Sequence, residues 1–219
     1  MIEAAIFDWD GTLADTRRAI VLSFQKALKE INLEVPVFSI ERRIGIGAAD
    51  TFREILEAAN RRADGDVLKK LVERKIEVQR QLAEEVTLFE GTRELLDALH
   101  GKVKVALASM NNRPVVMHLL NLNNLGDCFD AVLTVEATSK SKPDPEIFLL
   151  TAKQLGIAPE RCVVFEDSIF GVKAAKTAGM RCIAVTTGAY KAEELTVEHP
   201  DLVVKSLSDP KILPFVFGA

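Results

Sequence analysis

The hydrophobic pattern of the chain changes character twice. Short apolar runs at Ala4–Phe7, Val103–Ala108, Ala131–Val135, Cys162–Phe165, Arg181–Thr186 and Leu202–Val204 have strand length and predict buried strands. Between the first two runs, from about Asp15 to Thr87, strand signals almost vanish. There Ile20, Phe24, Ala27, Leu28 and Ile31 recur at helical spacing, as do Phe52, Ile55, Leu56 and Ala59. Leu68, Leu71, Val72, Gln79 and Leu82 repeat the pattern less cleanly, so three or more helices are predicted in this stretch. From Leu88 onward helices alternate with strands. One helix spans Thr92–His100, and Asn112 is placed to cap the next, with Pro114 in its first turn. Another opens at Asp144-Pro145-Glu146 and ends near Gly156, and a further one runs Gly171–Ala178. The alternation predicts an α/β protein with a parallel sheet covered on both faces. Residues 1–14 and 88–219 form its core, and residues 15–87 form a helical unit inserted after the first strand.

Composition narrows the picture. A hydrophobic content of 48% supports a sizeable core, and a net charge of −4 gives no reason to expect nucleic acid or an anionic membrane as partner. No apolar run approaches the roughly 18 residues of a membrane span, and no basic-then-apolar leader opens the chain. A cytoplasmic protein, monomeric or weakly dimeric, is expected. Cys128, Cys162 and Cys182 lack any CxxC spacing and read as small hydrophobes in a reducing compartment. His100, His118 and His199 are scattered and read as structural or surface residues. The charged stretch Arg61–Glu85 reads as a solvated helical face. Arg42-Arg43-Ile44-Gly45-Ile46-Gly47 reads as a loop between the first two helices of this stretch and not as a dinucleotide fingerprint, since no strand precedes its Gly-x-Gly and the third glycine is missing.

Polar residues fall directly after apolar strands. Asp8-Trp9-Asp10 ends the first run, and Gly11 follows. Alternation along a strand places Asp8 and Asp10 on one side and Trp9 on the other. Ser109 ends another run, and Glu166-Asp167 ends a third. In open α/β sheets, ligands bind beyond the carboxyl ends of the strands. Lys142, in Ser141-Lys142-Pro143-Asp144-Pro145, adds a cation from a loop stiffened by two prolines. Four acids at one edge call for positive charge, and hard oxygen donors without a Cys/His set point to Mg²⁺. Mg²⁺ with a lysine and a serine hydroxyl suits a phosphate dianion. Screened in this way, a carboxylate can attack phosphorus and form an aspartyl-phosphate, while a second acid protonates the leaving oxygen.

With these motifs the chain resembles the haloacid dehalogenase-like phosphohydrolases. Asp8-Trp9-Asp10-Gly11-Thr12, Ser109, Lys142 before Pro-x-Pro, and Glu166-Asp167 fall in the family's order. The resemblance implies a Rossmann-like core with a helical cap domain, hinged at Thr16 and near Thr87. It implies Asp8 as nucleophile and metal ligand, and Asp10 as general acid/base that lends its backbone carbonyl to the metal. Asp167 would bind the metal directly, and Glu166 directly or through water. Ser109 and Lys142 would hold the phosphate, with Gly11, Thr12, Met110 and Asn111 around it. The substrate expected is a small phosphorylated metabolite. Arg43-Ile44-Gly45-Ile46-Gly47 and the tail from Thr187 look like phosphoglycolate phosphatases, with a sugar phosphate as the second choice. A β-phosphoglucomutase-like mutase is the alternative. Ile20 stands where mutases place a histidine, and Ala48 where they place a cap arginine, with Arg42 and Arg43 available as substitutes.

Overall fold

The computed structural model describes residues 1–218. Its main sheet has six strands in the order β5-β4-β1-β6-β7-β8, all parallel. These are β1 (Ala4–Phe7), β4 (Lys104–Ala108), β5 (Ala131–Leu133), β6 (Cys162–Glu166), β7 (Arg181–Val185) and β8 (Leu202–Val204). The first strand is central, with β4 on one side and β6 on the other.

Alternation within the strands divides the core. Ala5 and Phe7 of β1 enter one buried cluster with Val105, Leu107, Val163, Phe165, Ile183 and Val185. Ala4 and Ile6 enter the other with Ala106, Ala108, Cys162, Val164, Cys182 and Ala184. A strand buried on both faces needs apolar residues at every position, which explains the unbroken runs. Phe7 stacks on Phe165 at 4.3 Å between ring centroids. Helices α5 (Thr92–Leu99), α6 (Arg113–Leu122), α7 (Glu146–Leu155), α8 (Ile169–Thr177), α9 (Ala192–Thr196) and α10 (Ile212–Phe217) complete the layers.

The stretch after β1 is helical, as its spacing predicts. The chain leaves the sheet through β2 (Ala14–Asp15) and returns through β3 (Thr87–Leu88), which pair antiparallel. Between them lie α1 (Arg17–Glu30), α2 (Val37–Glu41), α3 (Ala48–Ala58) and α4 (Gly65–Gln81). The short α2 places the Arg42–Gly47 loop between the second and third helices rather than the first and second. These helices bury their own cluster, with Phe24, Leu28, Ile40, Phe52, Ile55, Leu56, Leu68 and Leu71 at its centre. Phe52 is fully buried and its ring centroid lies 4.5 Å from that of Phe24. Phe52→Ala should cost about 3–5 kcal/mol in chemical denaturation. The loss should fall on the helices, so an early transition by helical circular dichroism is the expected signature.

Several boundaries differ; β5 ends at Leu133 rather than Val135, where a short 3-10 turn over Val135–Ala137 follows, and two others have visible local reasons. Glu166 belongs to β6 rather than following it, and α8 begins earlier than expected because Ser168 caps it by accepting from the Gly171 N–H at 3.0 Å. Asn112 does stand at the N-cap of α6, but its side chain makes no capping bond. Glu136 takes that role, accepting from the Arg113 N–H at 3.0 and 3.1 Å. Among the described residues, no helix is long and apolar enough to cross a membrane.

Candidate active site

The strand ends bring Asp8, Asp10, Ser109, Glu166 and Asp167 to one edge, and all are buried. Carboxylate oxygens of Asp8, Glu166 and Asp167 lie within 4.8 Å of one another. Lys142, 1% exposed, reaches into this group. Its Nζ donates to Asp8 Oδ1 at 2.7 Å, to Glu166 Oε1 at 2.5 Å and to the Ala108 carbonyl at 3.3 Å. Burial works against its charge, but the Asp8 and Glu166 carboxylates outweigh burial and raise its pKa.

The acids respond in the opposite sense. Burial, then the charges of Glu166 and Asp10, push Asp8 up against the pull of Lys142. Burial, then Glu166 and Asp8, push Asp167 up, although the Thr12 hydroxyl donates to its Oδ1 at 3.1 Å. Three clustered carboxylates facing one ammonium remain short of positive charge. All three present oxygen donors, which fits a hard divalent cation such as Mg²⁺. Gly11 makes the close packing possible. Its φ is +84°, and a Cβ there would sit 2.3 Å from Asp167 Oδ2. The Gly11 N–H donates to the Ala14 carbonyl at 3.0 Å and so is already engaged.

Asp10 stands beside this group with other partners. Asn111 Nδ2 donates to its two oxygens at 3.2 and 3.0 Å, and Ser109 Oγ approaches at 3.5 Å. Burial raises its pKa, opposed first by the charge of Lys75. Trp9 points away into the sheet core and is fully buried, as alternation requires. Met110 lines the cavity above Asp8 and Asp10 together with Asn111.

Lys75 corrects the reading of Arg61–Glu85 as a solvated face. It lies on α4, is 3% exposed, and its Nζ donates to Asn111 Oδ1 at 2.7 Å. Burial lowers its pKa to about 8, with Asp10 and Glu136 holding it up. One signal in the sequence pointed to it. Lys75 falls between Leu71 and Gln79 at four-residue steps, on the helix face that the apolar spacing marks as buried. Arg43, by contrast, is committed within the helical insertion. Its Nε meets Glu54 at 2.8 Å and its Nη1 donates to the Ser39 carbonyl at 2.7 Å. The cavity between the insertion and the acids measures about 30 Å³, and the insertion lines it with Ile20, Phe24, Ile40, Ile44 and Ile46 beside Arg43, Thr51 and Lys75. That is room for one or two waters.

An open parallel sheet whose buried acids and lysine converge beyond its carboxyl edge is the architecture of an α/β enzyme. Residues 5–185 match the family described as haloacid dehalogenase-like hydrolase, and the chain belongs to that family. A phosphorylated carbohydrates phosphatase of Thermotoga maritima is 32% identical over 183 residues, covering 83% of this chain and 84% of the relative. The phosphoglycolate phosphatase of Escherichia coli is 30% identical over 233 residues, covering 95% and 90%. Among solved structures, a β-phosphoglucomutase of Clostridium difficile aligns with a TM-score of 0.88 at 26% identity, covering 100% of this chain and 98% of that one. The chain is thus a haloacid dehalogenase-like hydrolase with phosphatases among its relatives.

Proposed function

We propose that this hydrolase cleaves small phosphate monoesters by way of an aspartyl-phosphate on Asp8, with Mg²⁺ as cofactor. The observation that carries the reading is Lys142, bound at once to Asp8 and Glu166 inside a cluster of acids. Asp8, Asp167 and the Asp10 backbone carbonyl would hold the metal, which supplies charge screening between carboxylate and phosphate. Glu166 would act on it through water, because its oxygens already accept from Lys142, from the Asp167 and Ser168 N–H groups and from Ser168 Oγ.

Lys142 holds Asp8 Oδ1, which leaves Oδ2 to attack phosphorus. The ester P–O bond breaks, and the departing oxygen takes the Asp10 proton. Water then attacks the acyl phosphate. Asp10 accepts its proton, inorganic phosphate leaves, and the Asp8 carboxylate returns. Ser109 and Lys142 hold the phosphate oxygens, with Thr12, Met110 and Asn111 near them. Residues 15–87 serve as a cap domain hinged near Thr16 and Thr87, which excludes water when shut.

The cap cavity favours phosphoglycolate over a sugar phosphate. Four isoleucines and Phe24 line its cap side, which suits a small substrate with few hydroxyls, and Lys75 offers a cation for a second anionic group. A mutase would need a further phosphate site in the cap, and the arginines that could join Lys75 there are already paired. Ala48 has no charge, Arg43 is held by Glu54 and Ser39, and Arg42 faces Glu194. Lys75→Met keeps the buried methylenes and removes the charge. Loss of a charged hydrogen bond should lower kcat/KM for 2-phosphoglycolate about 10- to 100-fold. A chromogenic phosphate ester with an uncharged leaving group should lose less. Equal losses on both would remove Lys75 from substrate selection. The wider test is a phosphate-release screen with Mg²⁺ over 2-phosphoglycolate, hexose phosphates and β-glucose 1-phosphate. Conversion of the last to the 6-phosphate without phosphate release would establish a mutase instead.

A further inference from the structure

We infer that Arg42, Tyr190 and Glu194 form a clasp that holds the helical insertion shut, and that they act as positioning residues for the chemistry beneath it. Arg42 follows α2 in the insertion, whereas Tyr190 and Glu194 belong to the core segment after β7. Three different contacts converge on that one arginine. Its Nη2 lies 2.7 Å from Glu194 Oε1. Its guanidinium carbon sits 4.1 Å from the Tyr190 ring centroid. The Tyr190 hydroxyl donates to the Arg42 carbonyl at 2.6 Å.

The core side of the clasp is itself braced. Tyr190 is 2% exposed and meets Phe170 edge-on at 6.2 Å. Glu194 Oε2 accepts from the Lys191 N–H at 3.0 Å, so its carboxylate is aimed before Arg42 arrives. Arginine suits this place because a planar, permanently charged fork can stack and pair at the same time.

What the clasp holds is the roof of the cavity. Ile44, Gly45 and Ile46 directly follow Arg42 and Arg43 and line that cavity. Gly45 has φ +113° and lies so close to the core that a Cβ would come 2.6 Å from Ser168 Oγ. Ser168 Oγ in turn donates to Glu166 Oε2 at 3.1 Å. The chain from Arg42 to Gly45 therefore sets the height of the roof over the acids. None of the clasp residues touches the acids, so their effect runs through this loop.

The kinetic part of the inference rests on the phosphatase reading; the conformational part does not. The test therefore pairs hydrogen exchange of the full-length protein with turnover of a chromogenic phosphate ester. Arg42→Ala should speed exchange in segment 43–47 by about tenfold while β1, β4 and β6 stay protected. Arg42→Lys should restore part of the protection, since it keeps the charge and loses the stacking. In turnover, Arg42→Ala and Tyr190→Phe should raise KM more than they lower kcat. Added salt should raise KM in the wild type and do little in Glu194→Gln, because the ion pair is partly solvated. Unchanged exchange in Arg42→Ala would overturn the clasp. Faster exchange with unaltered KM would overturn the positioning role. An inactive wild type would count against the phosphatase reading, and exchange alone would then decide the clasp.

Discussion

Asp8→Asn should abolish phosphate release and, in chelator, make the protein more stable. The activity loss follows from the proposed role of Asp8 as nucleophile. A carboxamide keeps the shape of the side chain but cannot form the acyl phosphate, so kcat should fall by about 10⁴-fold or more. The gain in stability follows from charge. Asp8 is buried beside Glu166 and Asp10, and burial with those neighbours already pushes its proton affinity up. Folding therefore opposes its ionisation, and the amide removes that opposition. Thermal melts in chelator should place Asp8→Asn a few degrees above the wild type, since about 1 kcal/mol shifts a domain of this size by roughly 2–4 °C. Adding Mg²⁺ should then stabilise the wild type more than the variant, because a ligand that binds the native state raises stability by mass action. Retained turnover in Asp8→Asn would remove Asp8 from the nucleophile role. A lower melting temperature in chelator would show that its ion pair with Lys142 outweighs the crowding of acids.

Lys142→Ala should have the opposite effect on stability. The lysine is buried, and its loss leaves Asp8 and Glu166 facing each other without their cation. Breaking a buried ion pair from one side costs about 3–5 kcal/mol, which corresponds to a drop on the order of 10 °C. Activity should disappear as well, because on the proposed mechanism Lys142 is the group that screens Asp8 from the substrate phosphate. The sign of the pH dependence is fixed by linkage. Asp8 in the folded variant binds its proton more tightly than in the unfolded chain, so its penalty is absent below the unfolded carboxylate range and grows as pH rises. The gap between variant and wild type should accordingly narrow on acidification, as read by melts over a pH series. A gap that widens as pH falls would contradict the assignment. Across neutral pH the wild-type lysine contributes fully, since its own pKa is raised.

The parts of this site that were legible in the sequence are those carried by the strands. A strand buried on both faces leaves an unbroken apolar run, and whatever polar residue ends the run stands at the sheet edge. By that logic the sequence alone sets Asp8, Ser109 and Glu166-Asp167 at one edge, where Lys142 meets Asp8 and Glu166 and Ser109 approaches Asp10. Lys75 escaped because lysines on a charged helix are normally solvated, and its burial depends on α4 meeting Asn111 of the core. The clasp was hidden for a similar reason. Arg42 and Tyr190 are 148 residues apart, and neither has a local pattern that names the other. Glu136 capping α6 from a different loop is a smaller case of the same kind. Periodicity reports which face is buried; it does not report what lies on the other side of the contact.

On the proposed mechanism Asp8 is phosphorylated during turnover. The most direct measurement is acid quenching of the enzyme during hydrolysis of a reactive phosphate ester with Mg²⁺, followed by mass spectrometry of the tryptic peptide Met1–Arg17. A fraction of that peptide should be heavier by one phosphoryl group, with fragmentation locating the group on Asp8 and no such species in Asp8→Asn. Steady hydrolysis with the peptide unmodified at every quench time, or with the phosphoryl group on another residue, would contradict it.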